Sequence, residues 1–300
     1  MKNILLVILI TSSVLFAQTA GNSGVAFLKN GFGARNIAMG DLGVVGVSDL
    51  TALNYNPALL ANYQNPQVIL THIQSLQDMS TQLVGASFSF WGIPFAVGFN
   101  NTTVSDIEVR TIASDIPQSK FNAHYAFGSI STGFNVFDNI SVGATAKYVY
   151  ENLLSDEAGG YVFDFGLSYN NIFEGLNLGA SLKNIGSLSE LRNEATKLPT
   201  DFRFGAAYNF NLESMKSVVN AVGGIQKYLD TDDIHIHAGG EVIYDSLIAV
   251  RLGYMSGYDS KGFATGLGIF WQGINFDYAY TPYSYGFNSG HTISLMYSFN

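Results

Sequence analysis

The sequence predicts an all-β fold: a transmembrane antiparallel β-barrel of about 14 strands, with an N-terminal lumenal plug that contains short helices. Three observations predict it. First, segments of strict alternation recur along the chain, as in residues 291–300. There Ile293, Leu295, Tyr297 and Phe299 alternate with Thr292, Ser294, Met296 and Ser298. Alternation gives a strand one apolar face and one small or polar face, as a wall between lipid and a polar lumen requires. Second, only 12% of residues are charged while 14% are aromatic, against ~25% charged in an ordinary soluble domain. Third, beyond the first residues no apolar run approaches the ~20 needed for a membrane helix. A closed sheet satisfies every backbone group within lipid and is the remaining solution.

Taken in order, residues 1–17 read as a signal peptide. Lys2 supplies the positive start, an apolar stretch runs to Phe16, and Leu15-Phe16-Ala17 before Gln18 is the expected cleavage site, with Ala20 as the alternative. The expected destination is the outer membrane of a Gram-negative-type bacterium. Cysteine is absent, which excludes a lipoprotein anchor, a disulfide framework and thiolate chemistry.

Residues 18–66 are rich in Gly and Ala and lack sustained alternation. Asn56-Pro57-Ala58-Leu59-Leu60 reads as a capped short helix, with Asn56 at the N-cap and Pro57 at the first helical position. Ser48-Asp49 similarly reads as the cap of a turn through Leu53. A barrel of this size is too wide for wall side chains alone to fill. The segment is therefore expected as a plug, the alternative being a periplasmic extension. Arg35, Asn56, Pro57 and Ala58 are its candidate gating residues.

Residues 67–300 form the barrel. Strands are expected at 67–76, 80–90, 93–103, 121–132, 140–151, 160–169 and 175–184, then at 200–210, 218–228, 234–243, 246–255, 262–271, 274–281 and 291–299. Alternation is poorest at 218–228, where either face reads as outward. Long links (104–120, 185–199, 282–290) fall among the odd connections and tight ones among the even, the parity of external loops and periplasmic turns. Both termini are therefore expected in the periplasm, with 104–120 and 185–199 outside the cell.

Lys147, Asp164, Lys183, Arg203, Arg251 and Asp277 fall opposite the aromatic face. A charge at mid-bilayer on the lipid side costs ~2–4 kcal/mol, so all six are expected to face the lumen. Anchoring the plug is favoured over binding a substrate, with Arg35 pairing with Asp164 or Asp277. No catalytic constellation emerges, so neither enzyme activity nor a cofactor is expected. His235, His237 and Glu241 share one strand face, but lumenal polarity is a better account of them than a metal. Asp156-Glu157 and Asp230, Asp232 and Asp233 read as solvated loop charge rather than a calcium site, and Gly31-Phe32-Gly33 lacks the context of a nucleotide loop. A net charge of −9 and a pI near 4.9 argue against nucleic acid.

Gly33-Ala34-Arg35-Asn36-Ile37-Ala38-Met39-Gly40 and Asn54-Tyr55-Asn56-Pro57-Ala58-Leu59-Leu60-Ala61 resemble the N-terminal signature of the PorV/PorQ family, within the FadL-like outer-membrane barrels. Further matches are Leu182-Lys183-Asn184-Ile185-Gly186, Leu198-Pro199-Thr200-Asp201-Phe202-Arg203-Phe204-Gly205, Val250-Arg251-Leu252-Gly253-Tyr254, Gly266-Leu267-Gly268 and Phe276-Asp277-Tyr278-Ala279-Tyr280. Asp41-Leu42 departs from the Gly-Gly-Ala-type stretch common in that family. The resemblance covers nearly the whole mature chain and implies a plugged 14-stranded barrel. It also implies a component or shuttle of type IX-like protein secretion or surface attachment, with exported proteins or secretion-system components as partners beside outer-membrane lipid. The alternative is a FadL-like channel for long-chain fatty acids or other hydrophobic small molecules, and a third reading is a structural scaffold.

Overall fold

The structure, a computed structural model, describes residues 24–299 except 48, 64, 77, 78, 114 and 232. The expected signal peptide and its cleavage site, Ser48, Asp232 and Asn300 lie outside the described residues.

Fourteen antiparallel strands close into one barrel. They are β1 (Gln67–Gln74), β2 (Met79–Phe90), β3 (Ile93–Val109), β4 (Ser119–Phe137), β5 (Ile140–Leu153), β6 (Asp156–Phe173) and β7 (Leu176–Leu188). After these come β8 (Asp201–Leu212), β9 (Ser217–Tyr228), β10 (Ile234–Tyr244), β11 (Ile248–Ser256), β12 (Phe263–Trp271), β13 (Ile274–Thr281) and β14 (Gly290–Ser298). Each strand pairs with its neighbours in sequence, and β1 meets β14 from Gln67↔Ser298 to Gln74↔His291. The ring of fourteen strands has no open seam. Among the described residues no helix is long and apolar enough to cross a membrane.

Alternation decides which side chain faces where. In β11, Ile248, Val250, Leu252 and Tyr254 are exposed while Ala249, Arg251, Gly253 and Met255 are buried in the lumen. The ambiguous strand β9 resolves with Gln226 and Tyr228 inward and Ala221 and Ile225 outward. Trp91, Phe137, Phe173, Trp271 and Phe299 gather beside the tight turns and chain ends, forming an aromatic belt of the kind that marks a membrane boundary. That end is called the terminal end below, and the opposite one the loop end.

The wall is uneven. Strands β3 and β4 have 17 and 19 residues, whereas β13 and β14 have 8 and 9. The link expected at 104–120 is consequently mostly ladder: beyond an irregularity after Val104, Ile107 pairs with Phe121 and Val109 with Ser119. Only 110–118 remains as a tip. The link expected at 185–199 likewise begins as strand to Leu188 and then folds a small hairpin, Glu190–Leu191 with Glu194–Ala195. In both places pairing continues into polar sequence, where side-chain alternation gives no signal.

The segment before β1 lies inside the ring. Its elements are short: 3-10 turns at Ala26–Lys29 and Pro57–Asn62, and helices α1 (Ala34–Ala38) and α2 (Ala52–Tyr55). Residues 25–32 pack with the loop-end halves of β4 to β7, and the second 3-10 turn delivers the chain to β1 at the terminal end.

Candidate functional site: a plugged lumen

The plug is seated on glycine. Along the inner wall, Gly98 lies under Leu53, Gly143 and Gly166 lie against Pro57 and Ala58, Gly179 against Val44, and Gly253 against Met39 and Gly40. A Cβ on Gly253 would stand 2.6 Å from the Met39 carbonyl carbon, and one on Gly133 2.5 Å from the Pro57 carbonyl oxygen. The register sets many of these glycines side by side, as in Gly133↔Gly143↔Gly166, Gly179↔Gly205 and Gly239↔Gly253. Glycine inside a strand weakens it and marks close approach of another backbone. Here the approaching backbone is the plug's.

Above and around this belt, charges tie plug to wall. Arg35 of α1 forms an ion pair with Glu241 of β10 at 2.7 Å and donates through Nη1 to the Gly46 carbonyl at 3.0 Å. Glu241 also receives Arg251 Nε at 2.5 Å, and Arg251 Nη1 reaches Asp277 at 2.6 Å. The expected pairing of Arg35 with Asp164 or Asp277 is thus corrected. Glu241 lies between the two arginines, and Asp277 is held by Arg251 one strand further on. Arg203 donates to the Asp41 and Leu42 carbonyls at 2.9 and 3.0 Å, balanced by Asp201 at 3.3 Å. Asp41 adopts φ 58°, a left-handed conformation that Gly, Asn and Asp tolerate best. Its carboxylate accepts the Tyr55 hydroxyl at 2.6 Å. Burial and that carboxylate push the Tyr55 hydroxyl well above its usual range.

All six wall charges named from the sequence are buried on the inner face. Lys147 pairs with Asp164 at 2.5 Å, next to Asn184, whose backbone N–H donates to Asp164 at 2.8 Å. Lys183 lies 5.7 Å from the Tyr55 ring centre. In the plug, Asn56 accepts from the Ala58 N–H at 3.1 Å, with Pro57 opening the 3-10 turn. Its amide also donates to the Val44 and Leu167 carbonyls at 2.7 and 3.0 Å, so one carboxamide joins two plug segments to β6. Leu59 and Leu60 are buried in a cluster with Leu50, Leu53, Ile69 and Met296. Asp49 accepts from the Thr51 N–H at 2.9 Å, holding the turn before α2.

His237 meets the Gly40 carbonyl at 2.6 Å, and His235 stacks on Tyr258 with ring centres 3.9 Å apart. With Glu241 held by two arginines, the three do not converge, and no group that would hold a metal occurs among the described residues. Asp156 pairs with Arg192 at 2.9 Å, and Glu157 accepts the Tyr150 hydroxyl at 2.7 Å. Sequence reasoning missed Glu241, Asp201 and His237 as anchors, and it missed the glycine belt. The signal was present: each stands at an inward position of an alternating strand.

The two ends of the lumen differ. At the loop end Phe27 and Phe32 of the plug pack among Phe127, Val149, Val162 and Leu188. At the terminal end a cavity of about 610 Å³ opens, lined largely by carboxamides and carboxylates, with Arg35 and Asp277 in its lining.

No protein-family model matches the chain, and no curated protein matches it. Solved structures do. The monoaromatic hydrocarbon channel CymD superposes with a TM-score of 0.64 at 14% identity, over 90% of this chain and 98% of that one. The Pseudomonas putida toluene transporter TodX gives 0.61 at 14% identity, over 90% and 98%. What the chain shares with them is the fold, a closed β-barrel. At this identity the likeness concerns architecture.

Proposed function

We propose that the protein is a non-enzymatic outer-membrane channel for small hydrophobic molecules. The observation that carries this reading is the apolar compartment at the loop end, which the plug's own Phe27 and Phe32 fill. A hydrophobic solute would compete with those rings for the same surface, at ~25 cal/mol per Å² of apolar area buried. The shared architecture with channels for toluene and monoaromatic hydrocarbons supports it. In this reading residues 1–17 direct export, 18–66 plug the lumen and 67–300 form the barrel, with the terminal end facing the periplasm. The test is uptake of radiolabelled toluene into vesicles holding the purified protein. Uptake above protein-free vesicles, raised by Phe27→Ala with Phe32→Ala, is expected; uptake equal to empty vesicles sinks the reading. Protease should reach tags at Ile112 and Glu194 on intact cells but not one at Gly273; protection of both loop-end tags reverses the orientation.

A second reading is protein secretion or surface attachment of the type IX kind. It is favoured by the PorV/PorQ-like plug signature of Gly33-Ala34-Arg35 and Asn54-Tyr55-Asn56-Pro57. Affinity capture from membranes should then recover exported proteins or secretion components. Recovery of lipid and hydrophobic ligand alone removes it.

A further inference from the structure

The 610 Å³ cavity at the terminal end lies within the size range of ligand sites, yet its chemistry is unlike that of the apolar compartment. Its wall carries Asn139, Asn170, Asn177, Asn209, Asn220 and Asn275, drawn from six different strands or turns that converge on one mouth. Some of these carboxamides are already oriented. Asn170 accepts the Ser168 hydroxyl at 2.9 Å, and Asn177 accepts the Asn171 N–H at 3.0 Å, which leaves their amide N–H groups as donors. Asn220 donates to Glu241 at 3.0 Å and keeps its carbonyl as an acceptor. The Tyr63 hydroxyl and Gln67 Oε1 also belong to the lining, and both are buried without a hydrogen-bond partner in the structure.

Charge narrows the ligand. Asp49, Asp138 and Asp277 line the cavity, and Arg35 is the cation in the lining. Its Nε and Nη2 are taken by Glu241, and its Nη1 by the Gly46 carbonyl. A carboxylate or phosphate would meet three carboxylates and a guanidinium already committed, and would lose its hydration shell without compensation. A hydroxyl both donates and accepts, which matches carboxamides and carboxylates alike. We propose that this vestibule binds a neutral, hydroxyl-rich ligand, carbohydrate in chemical class, taken up from the side that carries the chain termini. The lining is divided between plug (Arg35, Asp49, Tyr63) and wall, so a ligand that touches both holds the plug in its seated position and stabilises it by linkage. This goes beyond hydrophobic transport and does not depend on it, since the two compartments are lined by different residues.

The test uses the full chain in nanodiscs and saturation-transfer NMR with three probes: maltotriose, chitotriose and tri-galacturonate. The first neutral probe represents a free oligosaccharide and the second a fragment of wall glycan, so the stronger binder identifies the source. Binding of at least one neutral probe, with no transfer to the anionic one, is expected. Asn209→Leu and Asn275→Leu, each checked for a heat-modifiable barrel, should weaken binding by about tenfold each. Bound sugar should also raise the temperature at which the plug releases. The proposal is overturned if neither neutral probe binds, if tri-galacturonate binds as well, or if both leucine variants bind as the parent does. Toluene uptake measured on the same preparation reports separately on the hydrophobic reading.

Discussion

The two ends of the lumen are built from the same wall and the same plug, yet one is filled and the other open. At the loop end the plug inserts Phe27 and Phe32 among Phe127, Val149 and Val162, with Phe32 and Phe127 edge to face at 5.9 Å. At the terminal end it presents Arg35, Asp49 and Tyr63 to a mouth ringed by carboxamides. At the loop end rings packed on apolar side chains seat the plug, whereas at the terminal end hydrogen bonds and ion pairs position it beside the cluster of Leu50, Leu53, Leu59 and Leu60. The difference teaches that filling this barrel and orienting what fills it draw on different interactions.

Removing the plug should break the comparison outright. Deletion of residues 31–61 is expected to convert a nearly closed protein into a large, steady pore in planar bilayers; equal conductance of the two forms would show that the segment does not obstruct the lumen. Next in size is Glu241→Gln. It leaves Arg35 and Arg251 buried without their shared carboxylate, a loss of the kind that costs ~3–5 kcal/mol. Frequent channel openings and faster proteolysis of the plug are expected while the barrel still runs as a folded band on gels. Unchanged opening frequency would assign plug retention to apolar packing alone.

A sharper contrast uses glycine. Gly253→Val sets side-chain atoms into the Met39 backbone and should cost ~1–3 kcal/mol by overpacking. Gly240→Val, whose Cβ would face the outside with its nearest neighbour 3.9 Å away, should change neither stability nor conductance. Equal effects in thermal melts would mean that the belt serves the strands rather than the plug. A smaller loss than that of Gly253→Val is expected from Asn56→Ala. Loss of the cap costs roughly 0.5–2 kcal/mol locally, seen as faster amide exchange at Ala58, while the Val44 and Leu167 carbonyls lose its amide as donor.

Strand positions were legible because lipid imposes a period of two, and no strand such as β11 or β12 can hide it. Strand ends were less so. The outer reaches of β3 and β4 rise into water, where Asp106, Glu108 and Lys120 carry no alternation. Inwardness of Lys147, Arg203 and Asp277 followed from the cost of charge in lipid, but partners did not, because an ion pair such as Arg35 with Glu241 joins residues 206 apart in sequence. The cap at Asn56 is local and could be read from neighbouring letters. The vestibule could not, since Asn139, Asn209 and Asn275 are ordinary turn-end residues until closure of the ring brings them to one mouth.

The glycine belt also constrains time. The plug touches wall strands around the ring, and Ala34 N–H donates at 2.9 Å to the hydroxyl of Ser294 in β14, which itself bonds Thr71 of β1 across the seam at 2.9 Å. This segment is therefore enclosed by a ring that only the last strand completes. Seating the plug against the growing sheet before β14 zips to β1 would form these contacts without passing the segment through the barrel mouth. A protein with a weakened plug is then expected to close its seam more slowly, seen as a longer-lived open-sheet species during membrane insertion.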